Sequence, residues 1–338
     1  MREREEHADV AIVGAGPVGL FAVFECGMLD LQCHLFDALA EPGGQCAALY
    51  PEKPIYDIPG YPRIAAGDLV DRLVEQAAPF APVYHLGSPV TGLDKAEGGL
   101  RVTSAAGVRV TARAVIVAAG VGAFGPNRPP LPGLAAYEGR SVFYLVRRRE
   151  DFRGRRIVIA GGGDAAIDWA LSLGEIAEHV FVVHRRAKFR AAPQSVARLE
   201  ALAREGRIEL VVPYQLKGLE GEAGRLSAVI VADLDGGMRR LDADRLLPFF
   251  GLATNLGPLA AWDLALDHDR IRVEPATCAT SRPGIFAIGD VATYPGKLKL
   301  ILSGFAEAAL AAHAIRPLAR PGEALHFEYS TTKGVPGR

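Results

Sequence analysis

The chain has 338 residues, 49% of them apolar and 23% charged, with a formal net charge of −1. That length favours two domains with sizeable cores, and near-neutrality argues against a whole-surface partner such as nucleic acid while leaving room for a local basic patch. No run reaches the roughly 20 apolar residues of a membrane span, and the charged start MREREEHADV lacks the core of a secretory signal. The four cysteines, Cys26, Cys33, Cys46 and Cys278, form no C-x-x-C and no metal-ligand spacing. The expectation is a soluble, cytoplasmic protein without a metal site.

The first element is a short apolar strand inside DVAIVGAGPVGL (9–20), which runs into Gly14-x-Gly16-x-x-Gly19, with Pro17 inside the motif, and a helix-compatible segment. Strand, glycine turn and helix are the context a dinucleotide fingerprint requires. The first glycine permits the tight turn, the second admits a pyrophosphate, and the third packs helix on strand. The next strand, LQCHLFDA, ends at Asp37, 23 residues after Gly14, where an acid accepts hydrogen bonds from a ribose hydroxyl.

The plan then repeats. RIVIAGGGDAAID (156–168) carries Gly161-x-Gly163-x-x-Ala166, with Asp164 and Ala165 inside the motif. The following strand, in EHVFVVHRRAKFR, ends at His184, again 23 residues after the first glycine. Here His184, Arg185 and Arg186, with Arg190 closing the run, replace the acid, a cluster suited to a 2′-phosphate dianion. Asp164 either bonds a backbone group near the pyrophosphate or caps its own helix; the spacing does not separate the two. Further on, GIFAIGD reads as a strand ending at Gly289-Asp290, with an Ala-rich helix expected over 303–315. In flavoproteins with two dinucleotide sites, such an aspartate sits at a helix N-terminus and bonds the flavin's ribityl chain.

Two fingerprints in one register imply an α/β fold of two Rossmann-like, three-layer nucleotide-binding domains, one for FAD and one for NADP(H). The Gly-rich crossings AAGVGAFGPNRP and FFGLATNLG suggest that the second domain is inserted into the first. The expected FAD-binding domain is discontinuous, residues 1–118 and 251–338, and the NADPH-binding domain is 119–250.

The two-lobed layout, GGQCAALYPEKPIYDIPG (43–60) and HRRAKFRA resemble the thioredoxin-reductase-like flavoproteins. AVIVAAG (114–120) is similar to their Ala-Thr-Gly strand, with Ala119 in place of the threonine. Thioredoxin reductases carry a C-x-x-C just before the second fingerprint, where this chain reads SVFYLVRRREDFRGRR with no cysteine. Dithiol exchange needs that thiolate pair, and Tyr50-Pro51-Glu52-Lys53 and Phe143-Tyr144 followed by basic residues resemble the ferredoxin/flavodoxin–NADP⁺ reductase branch. The resemblance implies that Gly44, Gln45 and Tyr50 contact the flavin, with Tyr50 stacked on one face of the ring. It implies Val90 near the adenine end and Phe124 near the ring. Tyr329 and Thr331, in HFEYSTTKG, would reach the other face in a homodimer.

Tyr50 and Tyr329 are then the nearest to catalytic residues, because hydride transfer from NADPH to flavin N5 needs no side-chain nucleophile. The acceptor is a one-electron carrier, ferredoxin or flavodoxin, usually acidic, and Arg147, Arg148, Arg149, Arg153, Arg155 and Arg156 offer it a basic patch. An oxidase or diaphorase serving oxygen or a quinone, and an NADPH-sensing regulatory protein, are the alternatives. Cys46, lacking a visible partner, reads as a small buried hydrophobe.

Overall fold

The computed structural model describes residues 5–323 and 330–335. The chain divides into two compact units, Met1–Phe124 with Thr254–Arg338, and Gly125–Ala253.

In chain order the first unit begins with β1 (Glu5–Val13), α1 (Pro17–Met28), β2 (Cys33–Phe36), α2 (Gly44–Ala48), α3 (Ala66–Ala77) and β3 (Val83–His85). The antiparallel strands β4 (Val90–Ala96) and β5 (Gly99–Ser104) follow, and then β6 (Arg109–Val117). The second unit contributes β7 (Arg156–Ala160), α4 (Asp164–Leu173), β8 (His179–Val183), α5 (Pro193–Arg204) and β9 (Ile208–Val211). A three-stranded antiparallel layer, β10 (Gln215–Glu222), β11 (Arg225–Ala232) and β12 (Met238–Asp242), precedes β13 (Arg245–Pro248). On returning, the first unit gains β14 (Ile285–Ala287) and α6 (Ile301–Ala319).

The sheet of the first unit is ordered β3-β2-β1-β6-β5-β4. β6 serves two neighbours on the side away from β1. Its first half pairs antiparallel with β5, and Val115–Val117 pair parallel with β14. The parallel core is therefore β3-β2-β1-β6-β14, with β4–β5 as an appended hairpin. Asp9–Val13 and all of β2 are buried, as befits parallel strands covered on both faces. One face packs Leu20, Val23, Leu69, Val70, Ala308 and Ile315 from α1, α3 and α6; the other carries Trp262, Leu259 and Ile271.

The second unit repeats the arrangement in smaller form. Its parallel sheet runs β9-β8-β7-β13, covered on one side by Ile167, Leu173 and Leu199 of α4 and α5. Val229, Val231 and Leu241 of the antiparallel layer cover the other side. Each unit is thus layered as the duplicated motif predicts.

Candidate functional site

The equal spacing read from the sequence becomes an equal register in space. Val13 pairs with Phe36 in the first unit, and Ala160 with Val183 in the second. Gly14 N–H donates to Phe36 C=O at 2.8 Å, and Gly161 N–H to Val183 C=O at 3.0 Å. Asp37 and His184 therefore each stand one residue beyond their strand, beside the glycine turn.

In the first unit the first and third glycines of the motif leave no room for side chains. Gly14 has φ +112°, and a Cβ there would lie 2.3 Å from Ala118 C=O; one on Gly19 would lie 1.9 Å from Gly14 C=O. Gly19 is buried behind the turn, where it lets α1 sit against β1. No side chain caps α1, whose N-cap is Gly16 and first residue Pro17, so its leading amides present positive potential to an anion.

That end of α1 opens on a cavity of about 490 Å³ lined by Gly14, Gly16, Pro17, Asp37, Gly44, Gln45, Tyr50, Val90 and Asp290. The volume falls in the range of cofactor pockets. Asp37 accepts hydrogen bonds from the backbone N–H of Ala15 (2.7 Å) and Leu39 (2.8 Å). Burial still raises its pKa above the ordinary carboxylate value, with these amides opposing the rise.

Tyr50 is half-buried against the core, and burial pushes its hydroxyl well above the usual phenol range. Its hydroxyl lies 4.0 Å from Cys46 Sγ, and burial pushes that thiol up to about 11. Asp290 sits on a short 3₁₀ turn, Gly289–Val291, rather than at the start of a long helix. The long helix begins at Ile301, two residues earlier than expected, and runs to Ala319. Leu300 and Ile301, at its N-terminus, line the same cavity, so turn and helix start are separate contributions.

Sequence reasoning missed the device that holds this turn. Glu307 on α6 is 2% exposed. Its Oε2 accepts the Gly289 N–H at 2.7 Å, and its Oε1 accepts the Tyr294 hydroxyl at 2.7 Å and pairs with Lys297. One buried acid inside an Ala-rich helix was the available signal. Leu39 and Lys299 also line the cavity and belong to no motif. Tyr329 and the side chain of Phe124 lie outside the described residues. Thr331 is exposed on the helical turn Ser330–Lys333 and is not among the residues lining the cavity.

In the second unit α4 also starts without a side-chain cap, at Gly163. No heavy atom lies within 4 Å of where a Gly163 Cβ would be, so the space over the turn is open. Asp164 does not cap its helix; its Oδ1 accepts the Ala192 N–H at 2.9 Å, tying the basic loop to the start of α4. Ala165 is exposed beside it, and Arg190 N–H donates to Gly162 C=O at 2.6 Å.

The His184 ring is buried under the turn, where a Cβ on Gly162 would lie 2.4 Å from it. It stacks on Phe189 at 5.4 Å, and burial lowers its pKa. Arg185, Arg186 and Arg190 are exposed, and among the described residues none has an acidic partner. The charge available to an anion thus comes from the guanidinium groups, with His184 as their base.

The arginine patch expected near 147–156 is largely matched by acids. Arg149 pairs with Glu175 at 2.7 Å, Arg153 with Glu150 at 2.7 Å, Arg156 with Asp244 at 3.1 Å, and Arg148 lies 3.9 Å from Asp151. Such a face offers an acidic partner less attraction than its composition suggests.

Comparison with known proteins gives these two cradles a family. The model of the pyridine nucleotide-disulphide oxidoreductases matches residues 8–314, which include both fingerprints. The chain belongs to this family. Similar proteins called ferredoxin–NADP reductase occur in Rhodospirillum rubrum, 65% identical over 97% of this chain and 96% of that protein, and in Rickettsia akari, 54% identical over 97% and 98%. Among solved structures, the thioredoxin reductases of T. acidophilum and Lactococcus lactis share the fold. Each has a TM-score of 0.79 at 23% identity and covers 92% of this chain.

Family membership makes the chain an NADP-dependent flavoprotein oxidoreductase, with FAD and NADP(H) as cofactors. The residues present fit both groups, given two glycine turns at uncapped helix starts, one facing a cofactor-sized cavity and one beside exposed, unpaired arginines. The sequence holds no C-x-x-C. All four cysteines are free and buried. No helix among the described residues is long and apolar enough to cross a membrane.

Proposed function

We propose that this chain passes electrons between NADP(H) and a small one-electron carrier protein, a ferredoxin or flavodoxin, through FAD alone. The first unit holds the FAD and the second the NADP(H). The observation that carries the reading is the absence of a thiol pair beside the cavity. Cys46, the cysteine that lines it, has its thiol pushed up to about 11 by burial and has a tyrosine, not a second sulfur, for a neighbour. A thiol relay needs an accessible thiolate and a resolving cysteine. Relatives named ferredoxin–NADP reductase, matched over nearly their whole length, support the choice of carrier.

When bound, FAD supplies a hydride-accepting N5 and can release electrons one at a time, which a nicotinamide cannot. The protein's own part is positional and electrostatic. The amides at the start of α1 face the pyrophosphate, and Asp37 accepts from the ribose. Gly44, Gln45, Val90 and Asp290 line the walls, and Tyr50 offers an aromatic face with its hydroxyl kept protonated. The amides of α4, with Arg185, Arg186 and Arg190, receive the phosphates of NADP(H), which favours it over NAD(H). In this reading the protein acts in the cytoplasm as a homodimer, with Tyr329, Thr331 and Phe124 completing the surroundings of the ring.

The test is stopped-flow reduction of the purified yellow protein by NADPH, followed by cytochrome c reduction with and without added ferredoxin or flavodoxin. Strong dependence on the carrier is expected. Rapid oxygen or quinone reduction that needs no carrier would replace the reading with that of an oxidase or diaphorase. Light scattering in solution checks the dimer.

A further inference from the structure

Three metal-binding side chains that are far apart in the sequence meet at one edge of the first unit's sheet. They are Glu6 of β1, His34 of β2 and His85, the last residue of β3. The strands are neighbours in the order β3-β2-β1. Parallel pairing sets His34 opposite Val83 and Phe36 opposite His85.

His34 Nδ1 lies 3.0 Å from His85 Nε2. Glu6 Oε2 lies 3.5 Å from the first nitrogen and 3.8 Å from the second. Both histidine side chains are 10% exposed and the glutamate 34%, so the cluster is walled in yet reachable from solvent. The His85 ring is held by stacking on Phe36 at 4.5 Å, with 22° between the planes.

Hydrogen bonding accounts for only part of this arrangement. A single N–H can lie between the two nitrogens. The carboxylate contacts are at or beyond hydrogen-bond reach, which for N–H···O is about 2.7–3.2 Å. Three lone-pair donors instead converge on one point. A tetrahedral Zn²⁺ with bonds of about 2.0–2.2 Å holds its ligand atoms about 3.3–3.6 Å apart. The observed separations straddle that figure.

We infer that Glu6, His34 and His85 form a binding site for a single Zn²⁺-class divalent cation. Two imidazoles and one carboxylate are a donor set that zinc accepts with a fourth position left for water. Nitrogen donors select it over Mg²⁺ and Ca²⁺, which take oxygen ligands. Because the ligands come from three strands, the bound ion clips β1, β2 and β3 together and stabilises the folded unit by mass action. The sequence concealed the site because positions 6, 34 and 85 have no ligand spacing.

The test uses the FAD-loaded full chain, stripped with a chelator and titrated with Zn²⁺ against a colorimetric zinc indicator, with melting temperature read in parallel. The expected result is one zinc per chain and a higher melting temperature with zinc than without. Glu6→Gln lowers the affinity at least tenfold, and His85→Gln abolishes both effects. His268→Gln removes a 92% exposed histidine paired with Asp267 and changes neither. Equal zinc content in wild type and Glu6→Gln, or no zinc in wild type, overturns the inference even if His85→Gln does not fold. An equal melting shift with Mg²⁺ or Ca²⁺ overturns it as well.

Discussion

The ion pair beneath the Gly289-Asp290 turn allows a quantitative test. Lys297 and Glu307 have side chains only 4% and 3% exposed, so neither charge can turn to water when its partner is lost. In Glu307→Gln the amide can still accept from Gly289 N–H and donate to the Tyr294 oxygen, but Lys297 is left buried without an anion. The Tyr294 ring, 5.5 Å from its ammonium, compensates little. Breaking a buried pair from one side costs about 3–5 kcal/mol. At about 2–4 °C per kcal/mol for a unit of this size, the melting temperature falls by roughly 6–20 °C.

Lys297→Met should do comparable harm by stranding the carboxylate. The double variant Lys297→Met/Glu307→Gln removes both charges and should lose less than either single variant. Flavin fluorescence during thermal melting reports the unit concerned, since release of FAD marks its opening. Either single variant melting within about 2 °C of wild type, or a double variant that shows the sum of the single losses, would refute the reasoning.

Replacing Arg185 and Arg186 with alanine should raise the KM for NADPH roughly 10–100-fold and leave that for NADH nearly unchanged, since charge-assisted bonds to a phosphate are lost from one and not the other. Steady-state kinetics with both nucleotides checks this. Gly163→Ala should leave the melting temperature unaltered, because the new methyl meets open space, while weakening NADPH binding in equilibrium titration, because that space is where the dinucleotide approaches. Cys46, pushed up to about 11 by burial, carries very little of the reactive thiolate near neutral pH. Iodoacetamide followed by mass spectrometry should therefore show slow labelling that rises about tenfold per pH unit; fast labelling at neutral pH would contradict the buried, protonated thiol.

Both cradles were readable because each depends on local spacing. Gly14, Gly16 and Gly19 are required within one strand-turn-helix, and 23 residues suffice to bring Asp37 or His184 back beside its turn. The division of labour at the second strand end was not readable. His184 and Arg185 are adjacent in the chain just past the strand end, yet the His184 ring is buried under Gly162 while the guanidinium groups of Arg185 and Arg186 remain outside. Of the acids that match the arginine run near 147–156, Glu150 and Asp151 stand within it, but Glu175 and Asp244 come from elsewhere in the chain and only folding brings them to it.

The order of residues was enough to specify the duplicated nucleotide fold, the acid and the bases that distinguish the two cradles, and the missing C-x-x-C before the second fingerprint. These rest on short-range geometry and on composition. Folding alone brought Glu307 and Lys297 under the Gly289 turn, set the start of α6 against the cavity, and gathered Glu6, His34 and His85 at one sheet edge. Such groupings depend on strand order and register between distant segments, and the burial they create sets the energy of each charge.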